Sequence, residues 1–352
     1  MTTTIEHLPS RTIYLSGEEH LFFSGTSYLG MGHQSDFKAV LIEGFNQYGT
    51  IFSASRNNNV QLKIYDEAED FIAQWTCAEV ALTVTSGLVA GQLAIQSLVN
   101  QKLILAPSAH PAIWQPNTPP QYFFQNYDDF SKKIVGIVEE EKSAVVIAAN
   151  AIDPLRGESY DFSWIKNLPI DMPITLLFDD SHGIGITGTD GSGIFQKIKN
   201  EIGEKANVNL IVIASLAKAV GLPGGVILGD KKTIAIIRQN PLFVGASPIV
   251  PAYLFAFLHS QNVYTEARAI LQKNIQQFKI ALLQIPNLPI TYLPKYPVFF
   301  TQQKDLFDYL LKHKILISSF SYPKPTDSPI TRIVLSALHT EGDIEYLIEK
   351  LK

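Results

Sequence analysis

Cysteine is almost absent from this chain: Cys77 is the only one in 352 residues. A single thiol cannot close an internal disulfide, so nothing in the sequence calls for an oxidising compartment. Charge is also scarce, at 17% of residues, and a net value of -5 leaves no basic excess that would favour nucleic acid or an anionic membrane. No apolar run reaches the length of a membrane span; those present, such as Asn209–Ala214, are the length of a strand. The opening segment MTTTIEHLPSRTIYL has no basic stretch followed by an apolar core, which predicts no signal peptide. Also missing are a Gly-x-Gly-x-x-Gly turn after a strand and a Gly-x-x-x-x-Gly-Lys-Ser/Thr loop, so a nucleotide-binding module ranks low. There is no internal repeat, low-complexity tract or long linker. These absences predict a soluble cytoplasmic protein.

What is present is a globular composition, 46% hydrophobic, enough for a compact core. From about Phe37 to Pro241, helical patterns alternate with short apolar runs: Lys102–Ala106, Ala144–Ala148, Ile174–Phe178, Asn209–Ala214 and Gly225–Leu228. Continuous Val/Ile/Leu-rich runs between helices read as strands buried on both faces, hence a mostly parallel sheet flanked by helices. From about Pro251 a long helical stretch runs to about Leu283. The short strands Val298–Thr301, Ile315–Ser318 and Arg332–Leu335 follow, then a final helix opened by Thr340 with Asp343 three residues on. The division expected is a large α/β domain over 35–248 and a small α+β domain built from 1–34 and 249–352.

Four segments carry chemistry. Thr175–Gly183 is an apolar strand ending in Asp179, Asp180, Ser181 and His182. Ligands of open α/β sheets collect at the carboxyl ends of strands, and an aspartate there suits a protonated ring nitrogen. The plainer alternative is a turn or a helix cap. Lys218 lies between two apolar strands in Ser215-Leu-Ala-Lys218-Ala-Val-Gly221, where burial would lower the amine's pKa and make it a nucleophile toward an aldehyde. A solvated surface lysine is the alternative. Thr85-Ser86-Gly87-Leu88 opens a helix and offers backbone N–H groups to an anion, or is an ordinary cap. His110 follows another apolar strand, placed to stack on an aromatic ring or to sit in a loop.

The ordered set Ser-Gly, His, Asp-x-x-His, Ser-x-x-Lys and a late Arg resembles fold-type-I pyridoxal-phosphate enzymes. The α-oxoamine synthase branch, which includes 8-amino-7-oxononanoate synthase, 2-amino-3-ketobutyrate ligase and serine palmitoyltransferase, is the nearer likeness. It runs from Ser27-Tyr28-Leu29-Gly30, through Tyr48-Gly49, Ser55-Arg56, Gly188 and Gly193, to Ser336-Ala-Leu-His339-Thr340. The resemblance implies an aspartate-aminotransferase-like fold and a homodimer with sites near the subunit interface. It implies that Lys218 carries pyridoxal 5'-phosphate as a Schiff base, with Asp179 at the pyridine nitrogen, His182 at the ring oxygen and His110 on the ring face. Ser86, Gly87, Leu88 and Ser215 would hold the phosphate, and Ser247 would reach it from the partner subunit. Arg332 would grip the amino-acid carboxylate, near Thr26; no metal is expected. The plainer alternative for Arg332 is an arginine on a surface strand, though the apolar Ile333–Leu335 run after it favours an inward role.

Several family positions differ. Thr26 stands where Asn is usual, Ala151 where a serine near the cofactor oxygen is usual, Tyr65 for a histidine and Gly91 for an Asn. The arginine that oxononanoate synthases place before a Pro-rich loop is missing from Ser318-Ser-Phe320-Ser-Tyr322-Pro323. The leading expectation is a decarboxylating condensation of a small amino acid with an acyl-CoA. An aminotransferase on the same fold, or a catalytically drifted homologue, is the alternative.

Overall fold

The computed structural model describes residues 4–98, 100–116, 120–153, 155–158, 160–285, 288–303, 305–322 and 326–352. The expected segment around Pro323 falls partly outside them. By its contacts the chain forms two units: Met1–Ser35, Asp153–Ser159 and Asn262–Lys352 make the smaller, Asp36–Ile152 and Tyr160–Gln261 the larger.

Two strands, β1 (Thr12–Leu15) and β2 (Glu18–Phe23), open the smaller unit. Helices α1 (Ser35–Tyr48) and α2 (Lys63–Thr76) follow. The larger unit's sheet is then built from β3 (Val80–Val84), β4 (Lys102–Leu105), β5 (Val145–Asn150), β6 (Ile174–Asp179), β7 (Val208–Ser215) and β8 (Gly225–Gly229). Among the described residues its order is β3-β8-β7-β6-β5-β4. Strands β4 to β7 run parallel, and β8 runs antiparallel to both β7 and β3. The parallel core follows from composition: β5 and β6 are apolar along almost their whole length and buried on both faces.

Between these strands lie α3 (Gly87–Gln96), α4 (Tyr127–Glu140) and α5 (Phe195–Ile202). Ala90, Leu93 and Ala94 of α3 join a core with Ile211, Ile213 and Ile227 of β7 and β8. Each fully buried isoleucine or leucine there contributes about 1.5–3 kcal/mol. Gly91 allows the close approach of α3 to residue 112: a Cβ at Gly91 would lie 2.3 Å from the Ala112 carbonyl oxygen. That gives the Gly91 departure a packing reason.

The larger unit ends with α6 (Lys231–Arg238), α7 (Pro241–Gly245) and α8 (Pro251–His259). The single long helix expected over 251–283 is two helices, α8 and α9 (Gln261–Leu282), broken at the buried Ser260, whose φ of -119° is not helical. Phe257 of α8 packs edge-on against Phe71 of α2 at 5.5 Å, which ties α8 to the larger unit. The larger unit therefore extends past the expected limit of 248.

The smaller unit continues with β9 (Ile290–Tyr292), β10 (Val298–Thr301), α10 (Leu306–Lys312), β11 (Ile315–Ser321), β12 (Pro329–Val334) and α11 (Glu341–Leu351). Its sheet order is β1-β2-β11-β12-β10-β9, antiparallel except for β11 beside β2. Thr340 and Asp343 form the expected capping box at the start of α11. No helix among the described residues is long and apolar enough to cross a membrane.

Candidate active site

Parallel register brings three strand ends of the larger unit together. Asn150 of β5 lies opposite Asp179 of β6, and Asp179 lies opposite Ile213 of β7, two residues before Ser215. Asp179 is 7% exposed, and its Oδ1 accepts the Ser181 N–H at 2.9 Å. His110 Nδ1 lies 3.7 Å from Asp179 Oδ2, but it also accepts the Ala112 N–H at 3.1 Å. One nitrogen cannot accept from Ala112 and donate to Asp179 at once. The hydrogen bond therefore decides, and the ring proton sits on Nε2. Burial lowers the His110 pKa, outweighing the pull of Asp179, with Lys218 adding to the lowering. A neutral, half-exposed imidazole is suited to lie flat against another ring.

Asn150 holds this histidine in place. Its Oδ1 accepts the His110 N–H at 3.0 Å and its Nδ2 donates to the Ser108 carbonyl at 2.7 Å. Nothing in the sequence marked Asn150 for this task, because the two partners are forty residues apart. Lys218 is half-buried in the turn between β7 and β8. Burial pulls its amine below the usual lysine range, and Asp179 opposes this only in part. The lysine and the aspartate are thus close enough to feel one another.

Beside them is a cradle formed by main chain. Ser86 caps α3 by accepting the Val89 N–H at 3.2 Å. The N–H groups of the first helical turn, at Gly87 and Leu88, have no acceptor within the helix. A Cβ at Gly87 would lie 2.7 Å from the Ser215 Cβ, and one at Gly225 would lie 2.3 Å from the Ser86 carbonyl oxygen. Only glycine allows these three segments to meet. Ser215 Oγ accepts the Ala217 N–H at 3.3 Å, and the Ser215 N–H donates to Ser181 Oγ at 2.8 Å. Helix-start N–H groups and a serine hydroxyl together form a donor set for a phosphate. A buried carboxylate and a neutral imidazole suit a protonated pyridine ring, and a lowered amine suits an aldehyde, so these residues fit pyridoxal phosphate.

His182 is half-buried in the loop after β6, three residues from Asp179, and Ser247 is exposed after α7. A buried ion-pair network supports β3, the strand that leads into the cradle. Arg56 makes a two-pronged contact with Glu69, Nη1 at 2.9 Å and Nη2 at 3.2 Å, and Glu69 also accepts from Arg238 at 2.7 Å and the Thr83 N–H at 2.8 Å. The Arg56 guanidinium stacks 4.1 Å over the Tyr65 ring, whose hydroxyl donates to the Ile249 carbonyl at 2.8 Å. Tyr65 thus has a structural task where a histidine is usual.

In the smaller unit, Arg332 sits mid-strand on β12 and is 5% exposed, opposite Ser318 of β11 and Phe300 of β10. Its guanidinium lies 5.1 Å from the Phe320 ring centre. The buried Tyr28 and Tyr296 hydroxyls meet at 3.4 Å, and Arg332 acts on both electrostatically. Thr26 is half-buried in the loop before Tyr28. Among the described residues no metal-binding cluster occurs.

Fold and site together define an aspartate-aminotransferase-like enzyme. A family model for aminotransferase class I and II matches residues 27–351. The 8-amino-7-oxononanoate synthase of Petrotoga mobilis is 24% identical over 365 residues, covering 99% of this chain and 92% of that protein. A putative 8-amino-7-oxononanoate synthase from Thermosynechococcus vestitus is 27% identical, covering 94% of this chain and 87% of its own length. Among solved structures, serine palmitoyltransferase from Sphingomonas wittichii matches with a TM-score of 0.80 at 19% identity, over 98% of this chain and 89% of that one. The 8-amino-7-oxononanoate synthase of Francisella tularensis matches at 0.73 and 22% identity, over 94% and 96%. This chain belongs to the aminotransferase class I and II family.

Proposed function

We propose that this pyridoxal-phosphate enzyme condenses a small amino acid with an acyl-CoA, a C-acyltransferase reaction that releases the amino acid's carboxylate as carbon dioxide. The observation that supports it best is the meeting of Asp179, His110 and the lowered amine of Lys218 at the strand ends, next to the glycine-lined donor set of Gly87 and Ser215. When bound, pyridoxal phosphate supplies an electron sink for negative charge at the amino acid's α-carbon. Lys218 is the amine that holds the cofactor and then moves a proton at the substrate α-carbon. Asp179 keeps the pyridine nitrogen protonated, His182 donates toward the ring oxygen, and His110 covers one ring face. Ser86, Gly87, Leu88 and Ser215 hold the phosphate, with Ser247 reaching it from the partner of a homodimer. Arg332 takes the amino-acid carboxylate as a two-pronged guanidinium contact, with Thr26 beside it. A single exposed thiol, Cys77, suits a reducing cytoplasm.

Borohydride treatment should fix the cofactor on one lysine, and peptide mapping should find it on Lys218; an adduct elsewhere overturns the assignment. Glycine, alanine or serine together with an acyl-CoA should release free thiol. Arg332→Ala should weaken amino-acid binding by about 1.5–3 kcal/mol without altering cofactor binding. A second reading is an aminotransferase, because the class I and II fold does not by itself fix the reaction. That reading wins if a 2-oxo acid supports turnover while no acyl-CoA yields thiol.

A further inference from the structure

Asp180 has no part in the chemistry above, yet it is 3% exposed at the carboxyl end of β6. Its Oδ2 accepts the Ile194 N–H at 2.8 Å, while its Oδ1 is buried without a hydrogen-bond partner among the described residues. Two glycines close on it: a Cβ at Gly183 would lie 2.0 Å from Oδ1, and one at Gly193 would lie 2.1 Å from Oδ2. The Asp180 carbonyl accepts from Gly183 and Ile184 at 2.9 and 3.0 Å, and its N–H donates to the Ile213 carbonyl at 2.8 Å. The side chain therefore plugs the loop from 180 to 194. That loop starts with Ser181, which takes the Ser215 N–H, and His182.

The neighbours determine the charge state. The charged group facing Asp180 is Asp179, the last residue of β6. Strand β7 takes the Asp180 main-chain N–H on the Ile213 carbonyl, and the loop offers the Asp180 carboxylate the Ile194 N–H. Among the described residues no lysine, arginine or histidine forms an ion pair with it. A carboxylate so placed would be desolvated, singly hydrogen-bonded and next to a second anion.

We propose that Asp180 is a positioning residue: a neutral carboxylic acid that locks the loop carrying Ser181 and His182 and leaves Asp179 the single anion at the end of β6. Burial, with a smaller push from Asp179 and against the Ile194 N–H, moves its pKa up to about 8. The role of Asp179 rests on the cofactor reading, but the protonation of Asp180 is testable without cofactor.

The test is the thermal midpoint of cofactor-free wild type and Asp180→Asn between about pH 5 and 9. A carboxyl whose folded pKa exceeds its unfolded value stabilises at low pH and loses that contribution as pH rises through the folded pKa. Relative to Asp180→Asn, wild type should fall by about 2 °C per pH unit and level off above about pH 8. In the loaded enzyme, kcat should decline in alkali for wild type but not for Asp180→Asn, with KM unchanged. Parallel midpoint curves overturn the proposal. Should the variant not fold, infrared spectra of wild type with carbon-labelled aspartate decide: a carboxylic-acid carbonyl band must persist at about pH 7 and vanish above about pH 9. Its absence at neutral pH sinks the idea. An adduct mapped away from Lys218 with these pH trends intact would instead overturn only the cofactor reading.

Discussion

Burial lowers the pKa of two histidines of this chain, His110 and His339, and each ring accepts a main-chain N–H on Nδ1. His339 in the smaller unit donates from Nε2 to the Phe22 carbonyl at 3.0 Å and accepts the Ser336 N–H on Nδ1 at 3.0 Å, while stacking on Phe23 at 4.0 Å. A second ring proton would point at the Ser336 N–H, inside the core. Burial, against the Phe22 carbonyl and Asp343, lowers the His339 pKa to about 4. A lowered histidine leaves stability intact above its ordinary value near 6.5 and loses it as pH falls toward the folded value. Wild type should therefore lose about 3 kcal/mol between about pH 6.5 and 4. Thermal midpoints of His339→Gln over that window should lack this slope. Asp179 belongs to the same scale. Asp179→Asn should cost about 2–5 kcal/mol of catalytic stabilisation, read from kcat/KM, while the cofactor still binds. Near-full activity would reduce Asp179 to a structural residue. Glu69 is the third case: Glu69→Gln leaves two guanidinium groups facing each other around a neutral amide. Denaturant melts should show a loss of about 3–5 kcal/mol, the cost of breaking a buried pair by removing one partner.

Elements meet where a glycine lets backbones touch. The start of α3 and the end of β7 approach so closely at Gly87 that a Cβ would lie 2.8 Å from the Ser215 Cα, a main-chain atom that cannot rotate away. Gly87→Ala should therefore displace the first turn of α3 and weaken cofactor binding at least about tenfold, as followed by equilibrium titration. Gly245→Ala, where a Cβ meets nothing within 4 Å, should leave binding unchanged. At α11 the capping box predicts that Thr340→Ala costs about 1 kcal/mol in a thermal melt, with cofactor binding untouched.

At the scale of the whole molecule, assembly remains a proposal, and it has a surface to be tested. Ile51, Val60, Leu242 and Val244 are large apolar side chains left exposed in the larger unit. Their segments are held together, since Ser55 Oγ donates to the Val244 carbonyl at 2.8 Å and Asn57 to the Arg238 carbonyl at 3.3 Å. Sedimentation should show a particle of twice the chain mass, and Val244→Arg should shift it toward the monomer. A monomeric wild type would remove the route by which Ser247 serves a partner's site.

What the sequence determined by itself was local in origin. The strands β5, β6 and β7 were legible because nearly continuous apolar runs between helices have one economical home, a sheet covered on both sides. The start of α11 was legible because Thr340 and Asp343 satisfy each other within one turn. Three other features were not legible: β3, a five-residue run leading straight into a helix; the short strands β1, β2 and β9; and the break at Ser260. Each depends on what packs against it. The same holds for the groups that surround the chemistry. Asn150 reaches back to His110, Glu69 gathers Arg56, Thr83 and Arg238, and Asp180 is enclosed by Gly183 and Gly193. No short-range period encodes such meetings. The meeting of Asn150 with His110 follows from the strand order β3-β8-β7-β6-β5-β4, which sets side by side residues that the chain keeps forty positions apart, and it is burial in that setting that lowers the pKa of His110 and raises that of Asp180.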